Sequence, residues 1–107
     1  MDKIFRALAS RHRRSVLDAL YERAGQSLTE LCEHRQMTRQ AVSRHLAVLE
    51  DAGLVVARWE GREKLHYLNP VPLRRLHDRW LRKFDGSTAD ALLGMKHSLE
   101  HRPRLHR

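Results

Sequence analysis

The sequence predicts a mainly helical fold with one small β-hairpin, in the order α-α-α-α-β-β-α-α. Apolar residues recur at helical spacing over most of the 107 residues, which is typical of helices with one buried side. Ser27-Leu28-Thr29-Glu30 and Thr38 are helix-start signals. Two β-rich runs flank Glu60-Gly61-Arg62-Glu63, which predicts the hairpin. A chain of this length forms one small domain, with room for an appendage.

The first three helices are predicted from apolar spacing and end signals. The first covers Asp2–Ala9, and the second runs from about Arg11 to Ala24, with Gly25 as its C-cap. The third begins at Ser27, whose hydroxyl forms a capping box with Glu30, and ends near His34. Ile4, Phe5 and Leu8 share one side of the first helix, and the side chains expected to face inward from the next two are Val16, Leu17, Leu20, Leu28, Leu31 and Cys32.

A fourth helix follows after only about three residues, Arg35 to Met37. Thr38 caps it, Met37 packs on Val42 as a hydrophobic staple, and Gly53 ends it in a left-handed conformation. Its apolar side carries Val42, Leu46 and Leu49. Two short helices joined this tightly, the second one basic, form a helix-turn-helix arrangement.

The polar side of the fourth helix carries no acidic residue before Glu50. Arginine pairs with guanine edges, glutamine with adenine, and serine with bases or phosphates, so this side fits the DNA major groove. The alternative is an ordinary solvated face. The predicted DNA contacts are Thr38 and Arg39, to the backbone, and Gln40, Ser43, Arg44 and His45, to base edges.

The hairpin is predicted from Leu54 to Trp59 and from Lys64 to Leu68. Its basic residues would bracket phosphates or reach the minor groove, although charges at such a tip also serve solubility alone. These predicted contacts are Arg58, Arg62 and Lys64, diluted by Glu60 and Glu63.

The C-terminal third predicts two more helices. Asn69-Pro70-Val71-Pro72 breaks the strand pattern and starts the fifth, Asp85-Gly86 ends it, and Ser87 to Asp90 caps the sixth. We assign residues 1–69 to DNA binding, 70–101 to dimerisation and 102–107 to a basic, disordered tail. The apolar stripes suit a dimer better than a small-molecule pocket. The predicted dimer residues are Ile4, Phe5, Leu8, Leu76, Trp80, Phe84, Leu92 and Leu99.

Composition narrows the class of protein. A net charge of +8, from 21 Lys and Arg against 13 Asp and Glu, favours an anionic partner. The 12 basic and 9 acidic residues up to Asn69 contrast with 9 and 4 after it, so net charge does not single out the fourth helix. One cysteine fits a reducing compartment, and we expect a cytoplasmic protein without a membrane partner. The absence of a Gly-rich phosphate loop or paired carboxylates predicts that it is not an enzyme.

The predicted order is that of a winged helix-turn-helix domain. Residues 3–69 resemble the ArsR/SmtB family of bacterial winged-helix repressors, and residues 70–101 more loosely resemble the C-terminal helices of one branch. The resembling segments are Ile4–Ala9 with Arg13-Arg14, Leu28–Leu31, Arg39–Leu46, Leu49–Val55 and Gly61–Leu68. The resemblance implies a homodimer that binds an operator with the fourth helix and wing, and that represses promoters, often including its own.

The resemblance also raises a metal-dependent alternative. Metal-sensing members carry Cys-x-Cys on the third helix, where this chain has Cys32 and His34; others use His-x-x-Glu on the last helix, matched by His97 and Glu100 without the partnering Asp-x-His. We expect no cofactor, with a metal-responsive repressor at either pair as the alternative. An alternative of another class is a protein–protein interaction module on the same scaffold.

Overall fold

The computed structural model describes residues 1–33, 35–81 and 93–94. Residues 1–73 form one compact unit and residues 74–107 a second. The elements are α1 Asp2–Leu8, α2 Arg11–Glu22, α3 Leu28–Cys32, α4 Arg39–Asp51, β1 Val55–Glu60, β2 Glu63–Leu68 and α5 Val71–Leu76, followed by a π-helical turn at His77–Leu81. The predicted mainly helical fold with one antiparallel hairpin is confirmed.

The core of the first unit joins α1 to α4 and the base of the hairpin. Its buried residues are Ala7, Val16, Leu17, Leu20, Leu31, Val42, Leu46, Leu49, Leu54 and Val55. Met37, Leu28 and Cys32 pack against this cluster from its edge. Burying one such leucine stabilises the fold by roughly 1.5–3 kcal/mol, so the apolar sides of α2 and α4 fix how the two helices lie.

The second helix ends earlier than predicted. It stops at Glu22, because Arg23 takes an extended conformation with φ −142° and ψ 109°. Gly25 does adopt a left-handed φ of 77°, but in the following turn rather than at the helix end. The side-chain amide of Gln26 donates to the carbonyls of Ala19 and Arg23, at 2.9 and 2.8 Å, and so satisfies the last turn of α2.

The third helix has the predicted capping box and a shorter span. The Ser27 hydroxyl accepts the Glu30 N–H at 3.1 Å, and the Glu30 carboxylate accepts the Ser27 N–H at 3.0 Å. The helix ends at Cys32, since Glu33 is extended, so the connection to α4 is longer than the three residues predicted. Arg35 lies in this connection and donates to the Leu31 carbonyl at 3.0 Å.

The hairpin has a two-residue turn at Gly61 and Arg62, with Val55 opposite Leu68 and Glu60 opposite Glu63. Its base is attached to the turn before α3. The His66 N–H donates to the Gln26 carbonyl at 2.8 Å, and the Gly25 and Gln26 N–H groups donate to the His66 carbonyl. This isolated antiparallel bridge between Gln26 and His66 holds the base of the wing beside the start of α3.

The first compact unit ends at Leu73, which packs on the core. The predicted end of the fifth helix, most of the sixth helix and the tail 102–107 lie outside the described residues; Leu93 and Gly94 are helical. Across the described parts of the chain, none of the helices has the length and apolarity needed to cross a bilayer.

Candidate nucleic-acid interface

The exposed side of α4 presents the predicted polar residues together. Arg39, Gln40, Ser43 and Arg44 are exposed, while Val42, Leu46 and Leu49 on the opposite side are buried. Thr38 differs in role, because its hydroxyl accepts the Ala41 N–H at 3.1 Å and thereby caps the helix. The first two turns of α4 therefore form a surface of cationic and neutral hydrogen-bonding groups.

A groove of about 650 Å³ separates α4 from the wing and from the start of α3. Its polar lining consists of Ser27, Thr29, Arg39, Ser43, Arg62, Lys64 and His66, together with the carboxylates of Glu30, Glu50 and Glu63. Arg39 spans it, donating from Nη1 to the Thr29 hydroxyl at 3.0 Å. This bond orients the guanidinium along the rim of the groove, where it remains exposed.

The three basic wing residues are in different states. Arg58 and Arg62 are exposed, and no hydrogen bond or ion pair to either is found among the described residues. Lys64 instead pairs with Glu50 of α4, with Nζ 3.7 Å from Oε1. Arg58 and Arg62 are therefore available to a ligand, whereas Lys64 also links the wing to α4 through its ion pair with Glu50.

Trp59 lines the groove but is not among the DNA contacts predicted from the sequence. It is 69 % exposed, directly opposite Lys64 in the hairpin register. Strand alternation was the available signal, because it places Trp59 on the same face as its cross-strand partner Lys64.

His45, which the sequence predicts to contact base edges, lies apart from the exposed surface of Arg39, Gln40, Ser43 and Arg44. One residue along a helix turns the side chain by about 100°, and this step carries His45 from Arg44 to the flank that packs on α2. Its ring is half-buried, with the His12 ring centroid 5.9 Å away and Arg13 Nη1 3.5 Å from Nδ1. Burial, followed by the charges of Arg13, His12 and Arg44, lowers the pKa of His45 below 6.5.

The metal candidates are largely outside the described residues, where His34, His97 and Glu100 fall. Cys32 is partly buried and packs against the core. In residues 1–33 and 35–81, no three His, Cys, Asp or Glu side chains gather as a metal site.

The predicted dimer residues divide into two groups. Ile4 and Leu8 are partly buried against the core of their own chain, whereas Phe5 and Trp80 are 51 % and 49 % exposed. The Arg79 guanidinium lies 5.8 Å from the Trp80 ring centroid. Leu76 is half-buried; Phe84, Leu92 and Leu99 lie outside the described residues.

Comparison with known proteins identifies the family of this fold. A family model described as a helix-turn-helix domain matches residues 8–58. The HTH-type transcriptional regulator YuzN of Bacillus subtilis (strain 168) is 41 % identical over 86 residues, which are 75 % of this chain and 94 % of YuzN. An ArsR-like transcriptional regulator from Rhodococcus sp. RHA1 superposes with a TM-score of 0.71 at 28 % identity, covering 95 % of this chain and 92 % of that one. The chain belongs to the ArsR family.

A third protein shares the fold of this ArsR-family regulator. The winged helix-turn-helix DNA-binding domain of Mb0332 from Mycobacterium bovis, a homodimer, has a TM-score of 0.62. It is 24 % identical and covers 94 % of this chain and 82 % of that one, so the likeness concerns the fold. Family and fold together make the chain a DNA-binding transcriptional regulator.

Proposed function

We propose that the chain is a homodimeric repressor that binds a palindromic or near-palindromic operator and so competes with RNA polymerase. The observation that carries the proposal is the exposed side of α4, which has no acidic residue before Glu50, beside a groove lined by the wing. A helix of this kind enters the major groove with its N-terminal half against base edges.

The side chains of α4 divide between reading and positioning. Arg44 and Gln40 have exposed hydrogen-bonding groups and fit guanine and adenine edges, with Ser43 beside them. Arg39, held by Thr29, fits a phosphate at the rim of the groove. Thr38 acts through the helix cap, and His45 is left out of the reading set because its ring packs on α2.

The wing supplies contacts that strengthen binding without reading sequence. Arg58 and Arg62 are uncommitted cations and fit phosphates or the minor groove, while Lys64 contributes less because Glu50 partly neutralises it. We expect a DNA strand to pass along the groove between the wing and α4, where two of the three lining carboxylates, Glu30 and Glu50, are already paired with Arg23 and Lys64.

Exposed apolar groups support assembly into a dimer. Phe5 is half-exposed on α1, and a shallow apolar groove of about 390 Å³ lies nearby, lined by Leu8, Leu17, Tyr21, Leu68 and Leu73 with two charged residues. A small domain gains core area by covering such surface. Two-fold symmetry would then present two copies of α4 one DNA turn, about 34–36 Å, apart.

The test is selection of binding duplexes from a random library, followed by anisotropy titrations of the selected duplex at two salt concentrations. We expect enrichment of an inverted repeat, binding that weakens with salt, and a dimer by sedimentation. Recovery of no sequence motif would overturn the proposal in favour of an interaction module.

The same titration with Zn²⁺ and with a chelator tests the metal alternative. We expect equal affinity in both, for the wild type and for Cys32→Ala. Release of the duplex by Zn²⁺, abolished in Cys32→Ala or in His97→Ala, would instead establish a metal-responsive repressor.

A further inference from the structure

Arg13 joins three elements through one guanidinium. Its Nε donates to the Ala7 carbonyl and its Nη2 to the Arg6 carbonyl, both at 2.9 Å. These carbonyls belong to the last turn of α1, and that of Arg6 also accepts the Ala9 N–H at 3.2 Å. The third nitrogen, Nη1, lies 3.5 Å from Nδ1 of His45 on α4. Arg13 therefore links the end of α1 and the start of α2 to the DNA-binding helix.

The chemistry of this contact requires a particular form of His45. Arginine has only donors, so the contact is a hydrogen bond when Nδ1 accepts, that is, when the imidazole is neutral with its proton on Nε2. The His12 ring stacks beside it, with centroids 5.9 Å apart. A second proton on His45 would occupy Nδ1, so that Nδ1 could no longer accept from Arg13. The imidazolium and the Arg13 guanidinium would then repel each other.

The positive charges around His45 all disfavour its protonation. Arg13 and His12 of α2 face it, and Arg44 precedes it on α4. On α1, Lys3 is engaged by Asp51, and Asp2 is at the opposite end from the Arg6 and Ala7 carbonyls. On the groove side of α4, Glu50 pairs with Lys64 of the wing and Glu30 with Arg23. Among the described residues, no carboxylate is paired with His45.

We propose that Arg13, acting through neutral His45, is a positioning residue for the DNA-binding helix, and that protonation of His45 loosens this helix and reduces discrimination between operator and other DNA. The inference rests on the proposed function for its DNA readout. It needs no contact between Arg13 and DNA, because the orientation of α4 decides which base edges Gln40 and Arg44 reach.

The sign of the effect separates it from simple electrostatics. An added positive charge strengthens binding to every DNA sequence. Loosening of α4 instead weakens binding to the operator relative to unrelated DNA. The ratio of the two affinities therefore isolates positioning from charge.

The first test needs no DNA. NMR titration of the imidazoles, with the His45 signals assigned from His45→Gln, reports the pKa of His45 in the wild type and in two variants. Arg13→Met should raise the pKa of His45, because a neighbouring cation is removed. Arg14→Met is the matched control, since Arg14 also donates to an α1 carbonyl, that of Leu8 at 2.6 Å, but has no bond to α4. An equal pKa of His45 in all three proteins would overturn the link.

The second test measures affinity for the selected duplex and for a scrambled duplex from pH 8 down to the lowest pH at which the protein remains folded, because the pKa of His45 lies below 6.5. In the wild type the affinity ratio should fall about tenfold as His45 gains its proton, the order expected for losing a hydrogen bond to a charged group. His45→Gln should be independent of pH and keep a high ratio, because glutamine retains an acceptor. His45→Phe, which has none, should show the low ratio at every pH.

A constant or rising ratio in the wild type on acidification would contradict the proposal, as would a wild-type ratio in His45→Phe. If no duplex is selected at all, the proposed function fails, and the NMR titration alone decides whether Arg13 and His45 are coupled. Circular dichroism of each variant establishes that it is folded at the pH of the measurement.

Discussion

Lys64 Nζ lies 3.7 Å from Glu50 Oε1, so the second strand of the wing is tied to the last turns of α4. Their side chains are 44 % and 30 % exposed, and a pair of this kind contributes roughly 0–1 kcal/mol to stability. In the proposed complex with DNA it would matter more, because one of the three wing cations is already paired in the free protein.

The wing cations should therefore differ in their contribution to binding. Arg62→Ala should weaken binding about equally for all sequences and lower the slope of log affinity against log salt by about one, as for a lost phosphate contact. Lys64→Ala should have a smaller effect, since Lys64 gives up part of its charge to Glu50. Anisotropy titrations at several salt concentrations measure both; a larger effect of Lys64→Ala would contradict this ranking.

Arg44→Ala should affect sequence preference as well as affinity. Loss of a bidentate base contact should cost about 1–3 kcal/mol and relax the preference at one position in each half-site. Repeating the duplex selection with the variant measures both effects. Arg11→Ala, which removes an equal charge on α2, is the control; equal effects of the two substitutions would exclude Arg44 from base reading.

Trp59 should report on the groove directly. In Trp80→Phe it is the remaining tryptophan, and it is 69 % exposed in the free protein. If a DNA strand occupies the groove, the emission of Trp59 should shift to the blue and its quenching by iodide should fall. Trp59→Phe, which retains Trp80, is the control, and unchanged Trp59 quenching at saturating duplex would place the strand elsewhere.

Gly25 and Gly61 form a matched pair for the effect of close packing. Both have a positive φ, of 77° and 64°, so alanine at either costs about 1–2 kcal/mol. A Cβ at Gly25 would also lie 3.2 Å from the Tyr67 hydroxyl oxygen, whereas at Gly61 nothing lies within 4 Å. Gly25→Ala should therefore lower the free energy of unfolding more, by about 1 kcal/mol or above. Denaturant titrations measure the difference. An equal decrease in unfolding free energy for the two variants would show that the Tyr67 side chain moves away at no cost.

The capping box of α3 should make stability depend on pH on the acid side. The Ser27 N–H, with further contributions from the Ser27 hydroxyl and Arg23, lowers the pKa of Glu30 below 4.5. The unfolded chain then takes up this proton first as pH falls, so the stabilisation is complete above 4.5 and is lost as pH falls through the folded-state pKa. Between pH 6 and 3, Glu30→Gln should lose less unfolding free energy than the wild type, and parallel curves would refute the assignment.

The sequence predicted those parts of the fold that depend on neighbours along the chain. The Ser27–Glu30 capping box, the Thr38 cap and the buried sides of α2 and α4 all follow from residues three or four apart. The end of α2 was predicted too late, because the side chain of Gln26 and the strand at His66 determine it. Likewise, the contact of His45 with Arg13 and that of Lys64 with Glu50 join positions far apart in sequence. The proposed reading surface was therefore visible in the sequence, whereas the contacts that orient it were not.

The attachment of His66 to Gln26 has a consequence for the thermodynamics of DNA recognition. Both residues are almost fully buried, and the His66 Nδ1 and N–H both lie 2.8 Å from the Gln26 carbonyl oxygen. The base of the wing is thus ordered when the chain folds, so in the proposed complex the backbone at this base would lose little conformational entropy on DNA binding. Such preorganisation favours rapid association and leaves the lifetime of the complex to the base contacts.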